Sequence, residues 1–144
     1  MIFEFYKPIT GKYEDISAAP DNVFQQKLVG SGFVVNPTKK RFLSPIYGKI
    51  TMIYPTHHVM VIHHENFDLM IHVGFTDVLR DHHYFTYHVT VGDVVSPGDP
   101  LFDLNFDFYK YHPHDYLTAL VFVQKPQLEI IETTDQLFHL KLPL

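Results

Sequence analysis

Two histidines stand where apolar, strand-like sequence does not ordinarily place them: His58 in THHVMVIHH (56–64) and His72 in FDLMIHVGF (67–75). Residues two apart in a strand share a face. His72 therefore shares one with Met70 and Asp68, and His58 one with Met60 and Ile62. If 58–63 and 68–73 are antiparallel neighbours, both imidazoles can meet on one surface. A lone histidine in such a setting is ordinarily half-buried with one hydrogen-bond partner, whereas two on adjacent strands invite chemistry. The pair suits three tasks. It can bind a metal, although two donors fall short of the usual three or four. It can act as general acid and base. Or one ring can attack as a nucleophile while the other donates a hydrogen bond to the developing charge. Imidazole is neutral enough near neutral pH to attack phosphorus. Gly74, two residues past His72, would let its backbone oxygen reach Nδ1 and leave Nε2 free.

The remaining candidates are weaker. The chain has 11 histidines, so some must decorate the surface. His63-His64 and His82-His83 read as solvated turn residues, and His88 and His139 as core or edge residues. His112-Pro113-His114 has a zinc-like H-x-H spacing, but its proline favours a loop. Asp103 and Asp107 lack the carboxylate set of a calcium loop. Neither a glycine-rich phosphate loop nor a serine elbow is present.

The elements that must position these residues are short strands. Candidates are 2–5, 32–36, 47–54, 59–63, 68–73, 85–91, 117–123 and 128–133, rich in Val, Ile, Tyr, Phe and Thr. Turn residues punctuate them, as in Gly30-Ser31-Gly32 and Pro97-Gly98-Asp99. Only short helical turns are expected, at 21–27 and 106–112. The pattern predicts an all-β antiparallel sandwich or barrel. The segments 44–53 and 90–102 echo one another faintly, each setting a glycine turn beside β-branched residues.

Composition narrows the function. At 144 residues with 46% hydrophobic content, the chain reads as one domain spanning 1–144. No cysteine is present, which excludes a thiol nucleophile or thiolate metal site. The net charge is −5 and only Lys39-Lys40-Arg41 cluster, which disfavours nucleic-acid binding. No run approaches the roughly 20 apolar residues of a membrane span, and no signal peptide is evident. A cytoplasmic location without membrane insertion is expected.

With both histidines placed, the order of motifs resembles the glucose-class enzyme IIA of the bacterial phosphoenolpyruvate-dependent sugar phosphotransferase system. The resemblance runs over roughly residues 5 to 141, through PITGKYEDISAAPDNVF (8–24), KLVGSGFVVNPT (27–38), SPIYGKI (44–50), THH (56–58), LMIHVG (69–74), VTVGDVVSPGDPLFDLN (89–105) and LTALVFVQ (117–124). It implies a duplicated hybrid motif within the antiparallel sandwich. It implies that His72 accepts a phosphoryl group on Nε2 from phospho-HPr and passes it to a cysteine of an enzyme IIB domain. His58 would support the phosphate, Thr56 would orient His58, and the Gly74 carbonyl would hold His72. Val23, Phe24, Val29, Tyr54, Met60 and Val78 would form an apolar collar, with Asp21 on an acidic rim. No cofactor is implied. A metal is expected only as an adventitious ion between His58 and His72, completed by a partner's carboxylate.

Some positions depart from the family pattern. After Gly74 the usual acidic position is Thr76, with Asp77 one residue later, which bears on the salt contact with HPr. Val59 replaces an alanine, Ala119 a proline, and Lys39-Lys40-Arg41 a glycine-rich turn. Two other functions compete. One is a regulatory binding module whose partners are selected by phosphorylation, since ~−1.5 to −2 of charge would weaken apolar contacts. The other is a zinc peptidase of the lysostaphin type, which requires H-x3-D where His72 and Asp77 give H-x4-D. The sugar is not encoded in the chain.

Overall fold

A computed structural model describes residues 1–105 and 113–143. Among them are thirteen strands: β1 (Ile2–Tyr6), β2 (Gly11–Asp15), β3 (Gly30–Pro37), β4 (Arg41–Leu43), β5 (Gly48–Ile53), β6 (Val59–His64), β7 (Phe67–Val73), β8 (Phe85–Tyr87), β9 (Val94–Val95), β10 (Pro100–Leu104), β11 (Thr118–Val123), β12 (Glu129–Thr133) and β13 (Leu137–Lys141). One helical turn, α1 (Asn22–Gln25), and three 3-10 turns complete them. A seven-stranded sheet runs β2-β3-β11-β7-β6-β5-β9, and two three-stranded sheets run β4-β10-β8 and β1-β13-β12. All pairing is antiparallel. The all-β antiparallel expectation holds, as an unclosed sandwich.

Alternation along the central strands explains the layering. Phe33 and Val35 of β3, Leu120 and Phe122 of β11, and Leu69, Ile71 and Val73 of β7 join the main core. That core also takes Phe5, Phe138 and Leu140 from one small sheet, and Phe42, Phe102 and Phe85 from the other. Stacked pairs lock the layers, with Phe33–Phe138 and Phe42–Phe102 centroids each 4.6 Å apart. The alternate residues Val34, Ala119 and Val121 build a second, smaller cluster on the opposite face of the large sheet, with Ile16, Ala19 and Phe24. Both faces of the sheet's centre are thus apolar, which is why TALVFV reads as a continuous apolar run. The second cluster is the floor of the candidate site.

Several expectations are refined. The helical turn expected at 21–27 is α1, with Asp21 as its N-cap. The one expected at 106–112 lies outside the described residues, as does His112. The strand expected over 85–91 ends at Tyr87, because Thr90 and Asp93 close a turn through the Asp93 side chain. β2, β4, β9, β10 and β13 were not anticipated. The echoing segments lie against each other: Gly48 pairs with Val95, and Ser44 and Ile50 exchange backbone bonds with residues 92–99.

Strand β3 approaches β11 so closely that Gly32 has no room for a side chain. A Cβ there would lie 1.9 Å from the backbone oxygen of Leu120. Gly32→Ala is therefore expected to cost more than about 3 kcal/mol in urea unfolding. A loss below about 1 kcal/mol would show that the two strands can part to admit a methyl group.

Candidate functional site

Pairing of β6 with β7 sets the site. Val59 lies opposite His72 and Val61 opposite Met70, so His72 and Met70 project onto the second apolar face. His58 precedes β6, and its carbonyl accepts from Val73 N at 2.8 Å, extending the ladder by one bond. The turn before it is closed by Tyr54 N to Val59 O at 2.9 Å and His57 N to Tyr54 O at 2.8 Å. His57 itself is left-handed, with φ of 64°, an uncommon conformation for a non-glycine residue.

That turn corrects the simple alternation read from the sequence. Met60 and Ile62 are fully buried in the main core and do not share a surface with the His58 ring. Met60 pairs with the inward Ile71 and is removed from the apolar collar. The left-handed residue breaks the period before β6, and the His58 ring ends with its centroid 5.3 Å from that of His72, the rings at 84°.

The two rings have different supports. Thr56 Oγ1 lies 2.6 Å from His58 Nδ1 in a hydrogen bond, which leaves Nε2 of His58 uncommitted. The Tyr54 ring meets His58 edge-on at 5.8 Å. Phe24 and Phe75 flank His72 at 5.1 and 5.8 Å and meet each other at 5.4 Å. His72 Nδ1 is buried without a hydrogen bond of good geometry, yet the Gly74 carbonyl is near enough to favour the imidazolium. Gly74 is therefore a close neighbour of the ring rather than a directional partner. Its φ of 86° and the 2.9 Å approach of Asp115 O to any added Cβ require glycine at this corner.

Electrostatics keep both rings neutral. Burial, then the neighbouring His72, then Arg80, push His58 down from 6.5 to about 4. His72 is also lowered, by burial first and Arg80 next, against the opposing influence of the Gly74 and His72 carbonyls and of Asp21. Near neutral pH each ring is thus in its neutral form, with a proton on one ring nitrogen and a lone pair on the other. Nothing in the pair supplies the third or fourth donor of a resident metal.

Around the rings, Val23, Tyr54 and Val78 are 47%, 40% and 42% exposed. Phe24 is buried beneath them, with Val29 packed against the same cluster. Asp21 accepts from Val23 N at 2.8 Å and Phe24 N at 3.4 Å, so the rim carboxylate also caps α1. The result is a shallow apolar face and not a pocket; a cavity of about 640 Å³ lies elsewhere, against Lys7, Tyr13 and Arg41. Two neighbours escaped the sequence reading. Phe75 had a signal, being an aromatic beside the His-x-Gly run. Arg80 had none, since only the loop after β7 brings its charge toward both rings. Its guanidinium pairs with Asp77 at 2.9 Å, so the carboxylate one residue past Thr76 is already engaged.

Among the described residues, His63, His64, His88 and His139 make their contacts away from the pair. His63 and His64 end β6 rather than forming a turn, and His64 stacks on Phe67 at 4.5 Å. His88 bonds Asp103, and His139 sits between Glu4 and Glu132.

Sandwich and site together describe a β-protein that presents paired imidazoles on an apolar face. The family model of the phosphoenolpyruvate-dependent sugar phosphotransferase system, EIIA 1, matches residues 3–128. The chain is similar to the PTS system glucose-specific EIIA component of Staphylococcus aureus, 34% identical over 132 residues, covering 91% of this chain and 80% of that protein. Its counterpart in Staphylococcus epidermidis is 34% identical over 133 residues, covering 92% and 80%. The solved structure of glucose permease IIA from Mycoplasma capricolum shares the fold, with a TM-score of 0.80, 24% identity, and coverage of 97% of this chain and 96% of that one. The chain belongs to the enzyme IIA family of the sugar phosphotransferase system. It is a sugar-transport phosphotransferase component. Among the described residues no helix is long and apolar enough to cross a membrane.

Because Arg80 opposes protonation of both rings, Arg80→Ala is expected to raise the titration midpoints of His58 and His72 toward 6.5. Histidine NMR titration reads this directly. Unchanged midpoints would place the guanidinium outside the field of the pair.

Proposed function

We propose that the whole chain, 1–144, acts as one cytoplasmic enzyme IIA-like domain that carries a phosphoryl group on His72. The perpendicular, neutral His58 and His72 rings, 5.3 Å apart within an apolar face, carry this reading. The Nε2 lone pair of His72 attacks the phosphorus of phospho-HPr. As the new N–P bond forms, the donor's N–P bond breaks and its electron pair returns to the HPr imidazole. In the second transfer a thiolate of the enzyme IIB domain attacks the same phosphorus, and the electron pair returns to His72. Neither step needs a cofactor, and both depend on alignment and charge stabilisation.

The supports divide these tasks. If the Thr56 hydroxyl donates to His58 Nδ1, the proton of His58 sits on Nε2 and can bond a phosphoryl oxygen. His72 takes the opposite tautomer, with Nδ1–H toward the Gly74 carbonyl and Nε2 free. Phe24 and Phe75 wall the ring and keep water from a hydrolysable N–P bond. Val23, Tyr54 and Val78 supply an apolar rim on which two partners can dock in turn. Docking of HPr rests on this rim and Asp21, with Asp77 in an exposed ion pair with Arg80.

Intact-mass measurement after incubation with phosphoenolpyruvate, enzyme I and HPr tests the proposal. Wild type is expected to gain one acid-labile phosphate and His72→Ala none. His58→Gln should load and then transfer on the order of 100-fold more slowly, the usual penalty for losing one donor to developing charge. Loading of His72→Ala would overturn the assignment.

A further inference from the structure

We propose that Asp81, His82 and His83 form a second site, separate from the histidine pair, that binds a divalent transition-metal ion of the zinc class. The three side chains lie on a single turn that follows Arg80, with His82–Tyr84 forming a 3-10 helix. Their candidate donor atoms all lie within 4.8 Å of one another. Asp81 Oδ1 is 2.7 Å from His83 Nδ1 and 3.6 Å from His82 Nδ1. The two rings lie side by side, centroids 4.1 Å apart. Zinc bound to nitrogen and oxygen at about 2.0–2.2 Å sets tetrahedral donors roughly 3.4 Å apart. Asp81 Oδ1 also accepts from His83 N at 2.9 Å, which holds the carboxylate on the turn, so ligation would require the exposed imidazoles to rotate to that spacing.

The donor set also selects the ion. Two imidazoles and one carboxylate suit zinc and its transition-metal neighbours, and disfavour calcium or magnesium, which require mostly oxygen. Three protein ligands leave a coordination position open. A third imidazole, the fourth candidate donor, stands at the edge: the His57 ring meets that of His82 at 5.8 Å and has a buried Nδ1 without a partner. The Tyr87 hydroxyl donates to the His57 carbonyl at 2.8 Å, fixing the turn on which this ring sits. Arg80 is the nearest opposing charge along the chain, and its guanidinium is paired with Asp77.

His57 directly precedes His58, so an ion held here would add charge beside the rim of the phosphoryl-transfer site. Its open position would accept a carboxylate or imidazole from a docking protein. Metal binding itself does not depend on the phosphoryl-transfer reading.

Calorimetric titration of the full chain with zinc chloride near neutral pH tests the site. Wild type is expected to bind one ion. His82→Ala/His83→Ala should weaken binding at least about tenfold, as loss of primary ligands must exceed the 10–100-fold effect of their outer partners. Asp81→Asn should weaken it in the same direction. His58→Gln/His72→Ala should leave it intact, and circular dichroism should show every variant folded. Retained affinity in the His82/His83 variant, or no binding by wild type at millimolar zinc, would overturn the proposal. Loss of binding only in the His58/His72 variant would do the same, assigning the ion to the other pair.

Discussion

The structure turns on the antiparallel pairing of β6 with β7 and the left-handed turn that feeds it. Pairing sets His72 opposite Val59 on the outer face. The turn at His57 then brings His58 to the same face, against the alternation that sends Met60 inward. Neither feature suffices alone. A regular strand through residue 58 would bury that imidazole in the main core, while a one-residue slip of β7 would bury His72 and expose Ile71. Thr56, Tyr54 and Phe24 refine a geometry that the ladder has already fixed.

The cost of placing two imidazoles on an apolar face is the loss of their charged forms. For His58, 7% exposed and lowered from 6.5 to about 4, this disfavours the imidazolium by on the order of 3 kcal/mol. Burial dominates at both rings and Arg80 reinforces it, while Asp21 and the Gly74 carbonyl oppose it only at His72. In the proposed transfer, the same desolvation that suppresses the cations would leave the His72 lone pair available for attack and keep water from the reacting atoms. Arg80 would serve that proposed transfer twice, since a guanidinium that disfavours imidazolium also favours an incoming dianion.

Much of this was legible from the sequence, because the central strands carry long β-branched runs and the two histidines interrupt them. The architecture and the helical turn after Asp21 follow from composition and period, while the pairing of 58–63 with 68–73 entered as a condition that β6 and β7 meet. What was hidden has physical causes. GKYED and LFHLK pair as strands although each mixes charge with apolar residues, since neighbouring strands and not propensity decide them. The inward turn of Met60 was hidden because period-two reading assumes regular backbone, and one positive φ at His57 shifts the phase. Arg80 and the Asp81-His82-His83 turn acquire their neighbours only through the loop after β7, a tertiary effect without a spacing signature.

The most direct test is a long-range proton–nitrogen correlation spectrum of the histidine side chains near neutral pH. His58 and His72 are both expected to be neutral and in opposite tautomers, His58 protonated on Nε2 and His72 on Nδ1. Thr56→Val should release the His58 tautomer and leave that of His72 unchanged. An imidazolium at either position, or identical tautomers at both, would contradict the division of labour between a ring that donates and a ring that attacks.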